Sequence, residues 1–256
     1  MSQNSFVSGI HYFFEGLRLI THPKLRAYIL VPLIINIILF LILTAALIHY
    51  FGVIMDSIRF DPPAWLPYVE LVTDIISVLL GIVIGVLALI IYGYSFNVIT
   101  NILAAPFYGF LAEKTEYLLT GVKPPPEPIV KMTVRVFFRE LSKLLYFLVR
   151  SIVVMLIILL IAMLPIIHFI APIIGLVWGA WSMAIQYADY AADNHQRSFL
   201  DSRNRLWQKK YSSIGFGGTI MVCSVIPVLN IIALPAAVTG GTLYWINELA
   251  NCQPTD

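Results

Sequence analysis

Four stretches of the chain contain no Asp, Glu, Lys or Arg, and their lengths constrain the fold more than any other feature. They run from Ala27 to Met55, from Ile75 to Ala112, from Ser151 to Ala188 and from Ile214 to Asn247. Even the shortest has 29 residues, which as a helix would cover about 43 Å, more than the ~30 Å hydrocarbon core of a bilayer. The chain is therefore predicted to be an all-α integral membrane protein with a single membrane domain.

The composition agrees with a lipid environment. Of the 256 residues, 59% are hydrophobic and 12% are charged, whereas a soluble domain carries about 25% charged residues. So few charges could not cover a surface that faces water. The two cysteines, Cys223 and Cys252, indicate neither a disulfide framework nor a metal site. The first residues lack a basic segment before an apolar core, so we expect no cleaved signal peptide.

Residues 27–55 and 75–112 predict two long transmembrane helices. The second stretch has 38 residues, about 57 Å as a helix, so we expect a span over roughly residues 75–95 and a helical continuation beyond the bilayer. The polar residues 56–74 predict a loop between the two helices.

Two further segments, residues 5–22 and 128–149, predict amphipathic helices that lie in the membrane interface. In the first segment, apolar side chains recur at helical spacing, Arg18 lies on the polar side, and Pro23 ends the helix. In the second segment, basic residues recur every four positions and form one stripe opposite an apolar side. The stripe consists of Lys131, Arg135, Arg139 and Lys143.

Residues 151–188 and 214–247 each contain an apolar turn that is bounded by two prolines. The pairs are Pro165 with Pro172 and Pro227 with Pro235. The arms of the first segment are predicted to have about 14 and 16 residues, which is short for a membrane span. A turn that reaches water should also be polar. Both segments are therefore predicted to be re-entrant helical hairpins, which insert only partly into the membrane.

Each predicted hairpin tip holds one polar side chain, His168 in the first hairpin and Asn230 in the second. Two roles are open to these side chains. They cap backbone groups that the proline turns leave free, or they line a pore. Non-helical backbone at membrane depth is tolerated only where protein buries it or where it borders a wet cavity.

The Lys and Arg residues are unevenly distributed. Three precede residue 27, seven lie in residues 113–150 and five in residues 189–213, but only one lies in residues 56–74. The positive-inside rule then places the three basic groups in the cytoplasm, with both termini on that side of a bacterial inner membrane. Two spans plus two hairpins satisfy this distribution, and so do six full spans; arm length and tip chemistry favour the hairpins.

The best cluster of candidate catalytic groups contains Asp189 and Asp193, which are four residues apart and share a helix face. They could hold a cation or pair with nearby arginines, and we favour a structural charge network. Its expected members are Glu113, Asp189, Asp193, His195 and Arg203, with Arg197 and Arg205 as further basic partners. Nucleotide-binding and metalloprotease motifs do not occur in the sequence. We therefore predict no enzyme activity, catalytic residue, metal, cofactor or nucleic-acid partner.

An anion site is more plausible than a catalytic one, and the segment Gly16-Leu17-Arg18 is the best candidate. Gly16 permits either a close backbone approach or a helix break that frees N–H groups. Arg18 offers two donors in a planar fork. Taken alone, however, Arg18 is more typical of an interfacial residue that contacts lipid phosphate.

The order and spacing of several motifs resemble the CysZ family of bacterial sulfate permeases over almost the whole chain. The motifs are Gly16-Leu17-Arg18-Leu19-Ile20 with Pro23, Arg26 and residues 32–36; Ala104-Ala105-Pro106-Phe107 with Leu111-Ala112-Glu113; residues 184–187, 189–190 and 193–195; and Phe216-Gly217 with Ile226-Pro227, Asn230, Pro235, Ala237-Val238, Gly240 and Trp245. The resemblance implies sulfate entry for cysteine synthesis, through a homo-oligomer of chains with two long transmembrane helices and two partly inserted hairpins. It also implies that Gly16, Leu17 and Arg18 bind sulfate.

Three functions therefore remain open. The first is a passive or gradient-coupled pathway for sulfate, and the second is a pathway for another small oxyanion, such as sulfite or thiosulfate. The third is a membrane scaffold that transports nothing. The expected partners are the sulfate ion, the lipid bilayer and further copies of the chain.

Overall fold

A computed structural model describes residues 4–58 and 67–253, and every regular element within these ranges is helical. The helices are α1 (Phe6–Leu19), α2 (Arg26–Ile58), α3 (Pro67–Thr120), α4 (Ile129–Ala162), α5 (Ile170–Asn194), α6 (Phe199–Gln208), α7 (Lys210–Val225) and α8 (Pro227–Tyr244), with a π-helical turn at Trp245–Leu249. In the described part of the chain, five helical segments are long and apolar enough to cross a membrane. They are Arg26–Ser57, Val72–Thr120, Ile129–Ala162, Ile170–Asn194 and Leu229–Leu249. The predicted all-α membrane fold is confirmed.

Helices α1 and α2 keep close to their predicted bounds, whereas α3 and α4 are longer than predicted. Residues 67–74, which were predicted as loop, form the first turns of α3; residues 59–66 of that predicted loop lie outside the described residues. Helix α4 runs without a break through Arg150, so the predicted separation of a basic helix from the first hairpin arm is wrong. No proline or glycine lies near Arg150 to interrupt it.

The first predicted hairpin reverses direction where expected, and the second does not. Residues 163–169 connect α4 to α5 and include Pro165, while Pro172 lies in the first turn of α5, where its missing N–H is tolerated. In the second, the chain turns at Ile226 and Pro227 opens α8. Asn230 therefore lies in the first turn of a helix, which corrects its predicted place between two arms.

The hairpin arms are longer than the sequence suggested. Helix α4 has 34 residues and α5 has 25, so both exceed the ~20 residues that a span requires. Arm length therefore no longer favours partial insertion over full spans. The apolar character of the 163–169 turn, with Met163 and Ile166 among its most exposed side chains, is the argument that remains.

The described residues belong to two compact units. Unit 1 comprises residues 1–33 and 104–256, and unit 2 comprises residues 34–103. In unit 2, the Thr44 and Tyr92 hydroxyls lie 2.8 Å apart, and Phe40 packs edge-on against Tyr92 and Phe96. Most of the large apolar side chains described in this unit are exposed, so its surface suits lipid or another protein surface.

Unit 1 is built around the polar-ended helix α5. The side chains of Ala184, Ala188 and Ala191 are almost fully buried, and such small residues let neighbouring helices approach closely. Gly217 of α7 lies directly against this face: a Cβ atom added to it would stand 1.8 Å from the carbonyl oxygen of Ala180. Contacts between backbones therefore hold α5 and α7 together.

Helix α1 is part of the unit 1 core rather than only an interfacial helix. Its buried face consists of Gly9, Tyr12, Phe13 and Gly16, which repeat at the spacing of one helix face. Of the predicted apolar side, Phe13 is buried, but Phe6 and Phe14 are about half exposed. Helices α7 and α8 cover the small and aromatic face, and the exposed phenylalanines remain available to lipid.

Candidate functional site

Among the described residues, the deeply buried charges Lys143 and Asp189 lie where α4 packs against α5. Arg139 of α4 donates two hydrogen bonds to the carboxylate of Asp189 on α5, at 2.8 Å from Nε and 2.6 Å from Nη2. Its remaining Nη1 donates to the carbonyl oxygen of Arg197 at 2.5 Å. Because the Asp189 side chain is only 1% exposed, this bidentate pair is shielded from water and has a defined geometry.

Arg135 occupies the next position of the same helix face. Its guanidinium donates to Glu127 at 3.0 Å and 2.8 Å, forms an ion pair with Asp193 and donates to the Asp193 carbonyl at 2.8 Å. Arg135 thereby joins the start of α4 to the end of α5.

Lys143 completes the inward-facing row and is the most buried of its cations. Its side chain is 1% exposed, pairs with Glu140 and lies 3.6 Å from Asp189. The ammonium also lies 4.3 Å above the ring of Tyr190, a favourable cation–π contact at a dry site. Gln186 donates to Glu140 at 3.2 Å, which fills a further acceptor.

Of the predicted network members, Asp189 and Asp193 take part in this cluster, and their basic partners differ from those predicted. Asp189 and Asp193 were expected to pair with the arginines that follow them, whereas they pair with the α4 stripe. That stripe was predicted to lie in the membrane interface, yet only Lys131 among its four members is exposed. The sequence did contain a signal for this pairing. The acidic pair and the basic stripe both repeat every four residues, so each forms a row along one helix face, and two such rows can pair when the helices pack together.

The other predicted network members have separate partners. The His195 ring nitrogen Nε2 lies 2.8 Å from Glu116, and its ring stacks on Trp245 with centroids 5.7 Å apart. Glu113, one turn earlier on α3, is half-buried; the partner of His195 is Glu116, which the sequence reasoning missed. Arg203 lies over the Tyr146 ring at 4.4 Å.

Arg205, which was expected to be a further partner of Asp189 and Asp193, binds other acceptors. Its side chain is 2% exposed and Nε donates to Asp201 at 2.9 Å. Its Nη1 donates to the carbonyl oxygens of Leu249, Ala250 and Cys252 at 2.9, 3.0 and 2.8 Å. One arginine thus gathers the backbone that follows α8 onto α6.

A buried polar contact joins α1 to the π-helical turn. The hydroxyl of Tyr12 donates to Glu248 at 2.9 Å, and Lys209 lies 3.4 Å from the same carboxylate. Burial, reinforced by the Glu248 charge, raises the pKa of Tyr12 well above its ordinary value. The phenol therefore remains a protonated donor at any physiological pH.

A cleft of about 380 Å³ opens beside the α4–α5 charges. Arg135, Arg139, Ser142, Arg197 and Ser198 line it. Its guanidinium and hydroxyl groups are the donors that an oxyanion requires. Two of the guanidinium groups are already bound to carboxylates, so the exposed Arg197 is the cation most available to a visiting anion.

The predicted anion segment lies at the end of α1. The helix is unbroken through Gly16 and Leu17, so their N–H groups belong to the helix and Gly16 serves the close-approach role. A Cβ atom there would lie 2.3 Å from the carbonyl oxygen of Ala236, and Thr239 donates to the Gly16 carbonyl at 2.9 Å. Leu17 packs against the core, whereas the Arg18 side chain is 80% exposed and pairs with Glu15 at 2.6 Å.

The two predicted tip residues differ in their surroundings. His168 is exposed, and its ring nitrogen Nδ1 lies 2.9 Å from the Pro165 carbonyl, which fits the capping role. Asn230 is half-buried, and its backbone N–H donates to the Ile226 carbonyl at 2.8 Å. The structure thus places them in a turn and in a helix, respectively.

Comparison with known proteins gives consistent matches along the chain. The family described as "Sulfate transporter CysZ/Etoposide-induced protein 2.4" matches residues 12–235. Proteins named "Sulfate transporter CysZ" from Pseudomonas fluorescens and Pseudomonas syringae pv. tomato are 37% and 38% identical over 246 residues, with 94% of this chain and 94% and 93% of their own lengths covered. A protein of the same name from Pectobacterium atrosepticum is 36% identical, with 97% of this chain and 88% of its own length covered. The chain belongs to the sulfate transporter CysZ/Etoposide-induced protein 2.4 family.

Proposed function

We propose that this protein moves sulfate across a bacterial inner membrane, through a channel-like or gradient-coupled pathway that supplies cysteine synthesis. The observation that carries the proposal is its similarity, over nearly its full length, to proteins named as sulfate transporters. A transporter rather than an enzyme also suits a chain whose buried acids and bases are paired with one another. The positive-inside rule supports cytoplasmic termini.

Two surface features support an anion pathway. Arg18 is exposed at the end of α1 and pairs with the partly exposed Glu15, and Arg197 borders the cleft beside the α4–α5 charges. In this proposal, Gly16 and Leu17 position Arg18 by packing, and Arg18 supplies the donors that hold sulfate. The buried pairs of Arg135, Arg139 and Lys143 fix the helices that border the pathway.

The same proposal includes a homo-oligomer and partly inserted hairpins. Exposed apolar side chains occur in the 163–169 turn and along α2, α3 and α4. One chain of this size cannot enclose a hairpin tip at membrane depth, and further copies would supply the cover.

Uptake of radiolabelled sulfate into liposomes that contain only the purified chain tests the function. We expect uptake above that of empty liposomes. Unlabelled sulfate should compete with the labelled sulfate more strongly than sulfite or thiosulfate does. Uptake equal to that of empty liposomes would leave only the scaffold hypothesis. Stronger competition by thiosulfate or sulfite would reassign the substrate.

Substitution of Arg18 is expected to weaken sulfate binding in graded order. An exposed ion pair such as Arg18–Glu15 is worth little, so sulfate can replace Glu15 as the acceptor. Loss of charge-assisted hydrogen bonds should lower the affinity of Arg18→Ala by roughly tenfold to a few hundredfold. Arg18→Lys should be intermediate, because the charge remains without the fork, and Arg18→Glu should bind least. Calorimetric titration with sulfate measures the series.

The control for this series is Lys131→Ala, which removes an exposed cation from α4 and should leave sulfate affinity unchanged. Size-exclusion chromatography checks that each variant remains folded. Unchanged affinity in all three Arg18 variants would show that Arg18 is not a sulfate ligand.

Cysteines placed at the hairpin tips test insertion. In a chain with Cys223→Ser and Cys252→Ser, we expect His168→Cys and Asn230→Cys to resist a membrane-impermeant thiol reagent added from the periplasm, because their tips stay within the membrane thickness. Ser198→Cys, an exposed position after the α5 helix, should react only after the membrane is opened. Rapid periplasmic labelling at both tip positions would favour full spans instead.

A further inference from the structure

A cleft of about 500 Å³ lies between the start of α2 and the end of α3, within unit 1. Lys24 and Lys114 line it together with Tyr28 and Tyr117, and the fully buried Leu25 contributes to its floor. We call this site the lysine cleft. Arg18 does not line it, and it shares no lining residue with the cleft beside the α4–α5 charges.

Aromatic rings contact one lysine of this cleft and one lysine beside it. The ammonium of Lys114 lies 5.9 Å from the centroid of the Tyr28 ring. Just outside the cleft, the ammonium of Lys123 lies 5.4 Å from the centroid of the Tyr117 ring. Each ring orients a lysine without neutralising it, so the positive charge remains available to a ligand.

These lysines contrast with the basic residues of α4. Among the described residues, Lys24, Lys114 and Lys123 form no ion pair within 4 Å, whereas Arg135, Arg139 and Lys143 all do. The nearest acids in sequence are the half-buried Glu113 and the buried Glu116, and Glu116 is engaged by His195. Three uncompensated cations around one concave site attract an anion.

The position of the lysine cleft indicates which anion. One membrane-crossing candidate begins at Arg26, and the uncharged stretch of α3 ends at Ala112, two residues before Lys114. The cleft therefore lies at the polar ends of two helices that are long and apolar enough to cross a membrane. Basic pockets at this level on the cytoplasmic side bind acidic lipid headgroups. The lysine ammonium groups suit a phosphate as point charges, and the two tyrosine hydroxyls are further donors for phosphate or glycerol oxygens.

From this geometry we propose that the lysine cleft binds the phosphodiester headgroup of an anionic phospholipid. The site is independent of sulfate transport, and its ligand is a component of the membrane rather than the cargo. Bound lipid would join the ends of α2 and α3 through one phosphate.

Native mass spectrometry of the full chain in mild detergent tests the site, with phosphatidylglycerol as the probe and phosphatidylcholine as the zwitterionic comparison. We expect preferential binding of phosphatidylglycerol, and a roughly thirty-fold weaker affinity at low salt in Lys24→Gln/Lys114→Gln. The matched control is Lys131→Gln/Lys210→Gln, which removes one exposed lysine and one lysine stacked on aromatic rings elsewhere, and should bind as wild type does. The single variant Lys24→Glu, at an exposed position, gives a second reading that does not depend on the fold of the double variant.

Two results would overturn the proposal. One is phosphatidylglycerol affinity that is the same in wild type, Lys24→Gln/Lys114→Gln and Lys24→Glu. The other is displacement of the lipid by equimolar inorganic phosphate or sulfate, which would make the lysine cleft a site for a free anion.

Discussion

Gly217→Ala is expected to destabilise the packing of α5 against α7 by about 3 kcal/mol, the upper end of the usual cost of overpacking. The added methyl group would meet the Ala180 carbonyl oxygen at 1.8 Å and the Ala184 backbone nitrogen at 2.7 Å. Both atoms belong to the backbone of α5, so no side-chain rotation can relieve the contact. Helices α5 and α7 would have to separate, and the cavity opened between them adds to the cost. The fraction of monodisperse protein and its unfolding temperature in detergent measure the effect.

The neighbouring residue provides a matched control. In Gly218→Ala, the nearest atom to the new methyl group is the Ala180 Cβ at 3.8 Å, which is an ordinary contact. The same change in helix propensity occurs at both positions and favours alanine by about 1 kcal/mol. Gly218→Ala should therefore be as stable as wild type or more stable. Equal stability of the two variants would show that α5 and α7 are not packed backbone to backbone.

Asp189→Asn is expected to destabilise the protein by about 3–5 kcal/mol, because it leaves Arg139 and Lys143 as buried cations without their shared carboxylate. The substitution preserves the shape of the side chain and removes only its charge. Denaturant titration in mild detergent, followed by tryptophan fluorescence, measures the loss. Glu15→Gln, which removes one partner of the exposed Arg18–Glu15 pair, should change stability by less than about 1 kcal/mol.

A second substitution distinguishes charge imbalance from disturbed packing. In Asp189→Asn/Lys143→Met, one of the two cations that lie against Asp189 is replaced by an apolar side chain of similar length, while Glu140 keeps Gln186 as a donor. We expect this double variant to recover part of the stability lost in Asp189→Asn, because replacing a buried ion pair by apolar groups is often neutral or stabilising. If the double variant loses as much stability as Asp189→Asn and Lys143→Met do together, Asp189 and Lys143 are not coupled, and the network does not exist as described.

Helix positions could be predicted well because long apolar segments and prolines act locally. The main errors concern residues that were expected to end or break a helix but lie within one. Arg150 was treated as the end of a basic segment, yet a lone arginine does not break the backbone of α4. Pro235 was treated as part of a turn, but a helix buried among neighbours accommodates it within α8, and the chain reverses at Ile226 instead.

The charge network was only half predictable. The acidic pair and the basic stripe are both visible in the sequence, but their pairing depends on α4 packing against α5, which periodicity alone does not specify. Arg205 is a harder case, because three of its four acceptors are backbone carbonyls and any residue type supplies those. The sequence allowed for a close backbone approach at Gly16, which the structure contains, but it could not show that the approaching backbone is that of Ala236 in α8.

Helix α1 depends on partners that follow it by more than 200 positions. The Ser8 hydroxyl lies 2.8 Å from that of Ser212, Tyr12 donates to Glu248, and Thr239 donates to Gly16. At a synthesis rate of about 5–20 residues per second, these partners leave the ribosome roughly 10–40 s after α1 does. Until then the glycine face of α1 has no helix to cover it, and the nascent segment can rest on the bilayer surface as an amphipathic helix. Closure of unit 1 is therefore a late event in biosynthesis, and a nascent chain stalled before residue 212 would hold α1 at the membrane without its fold.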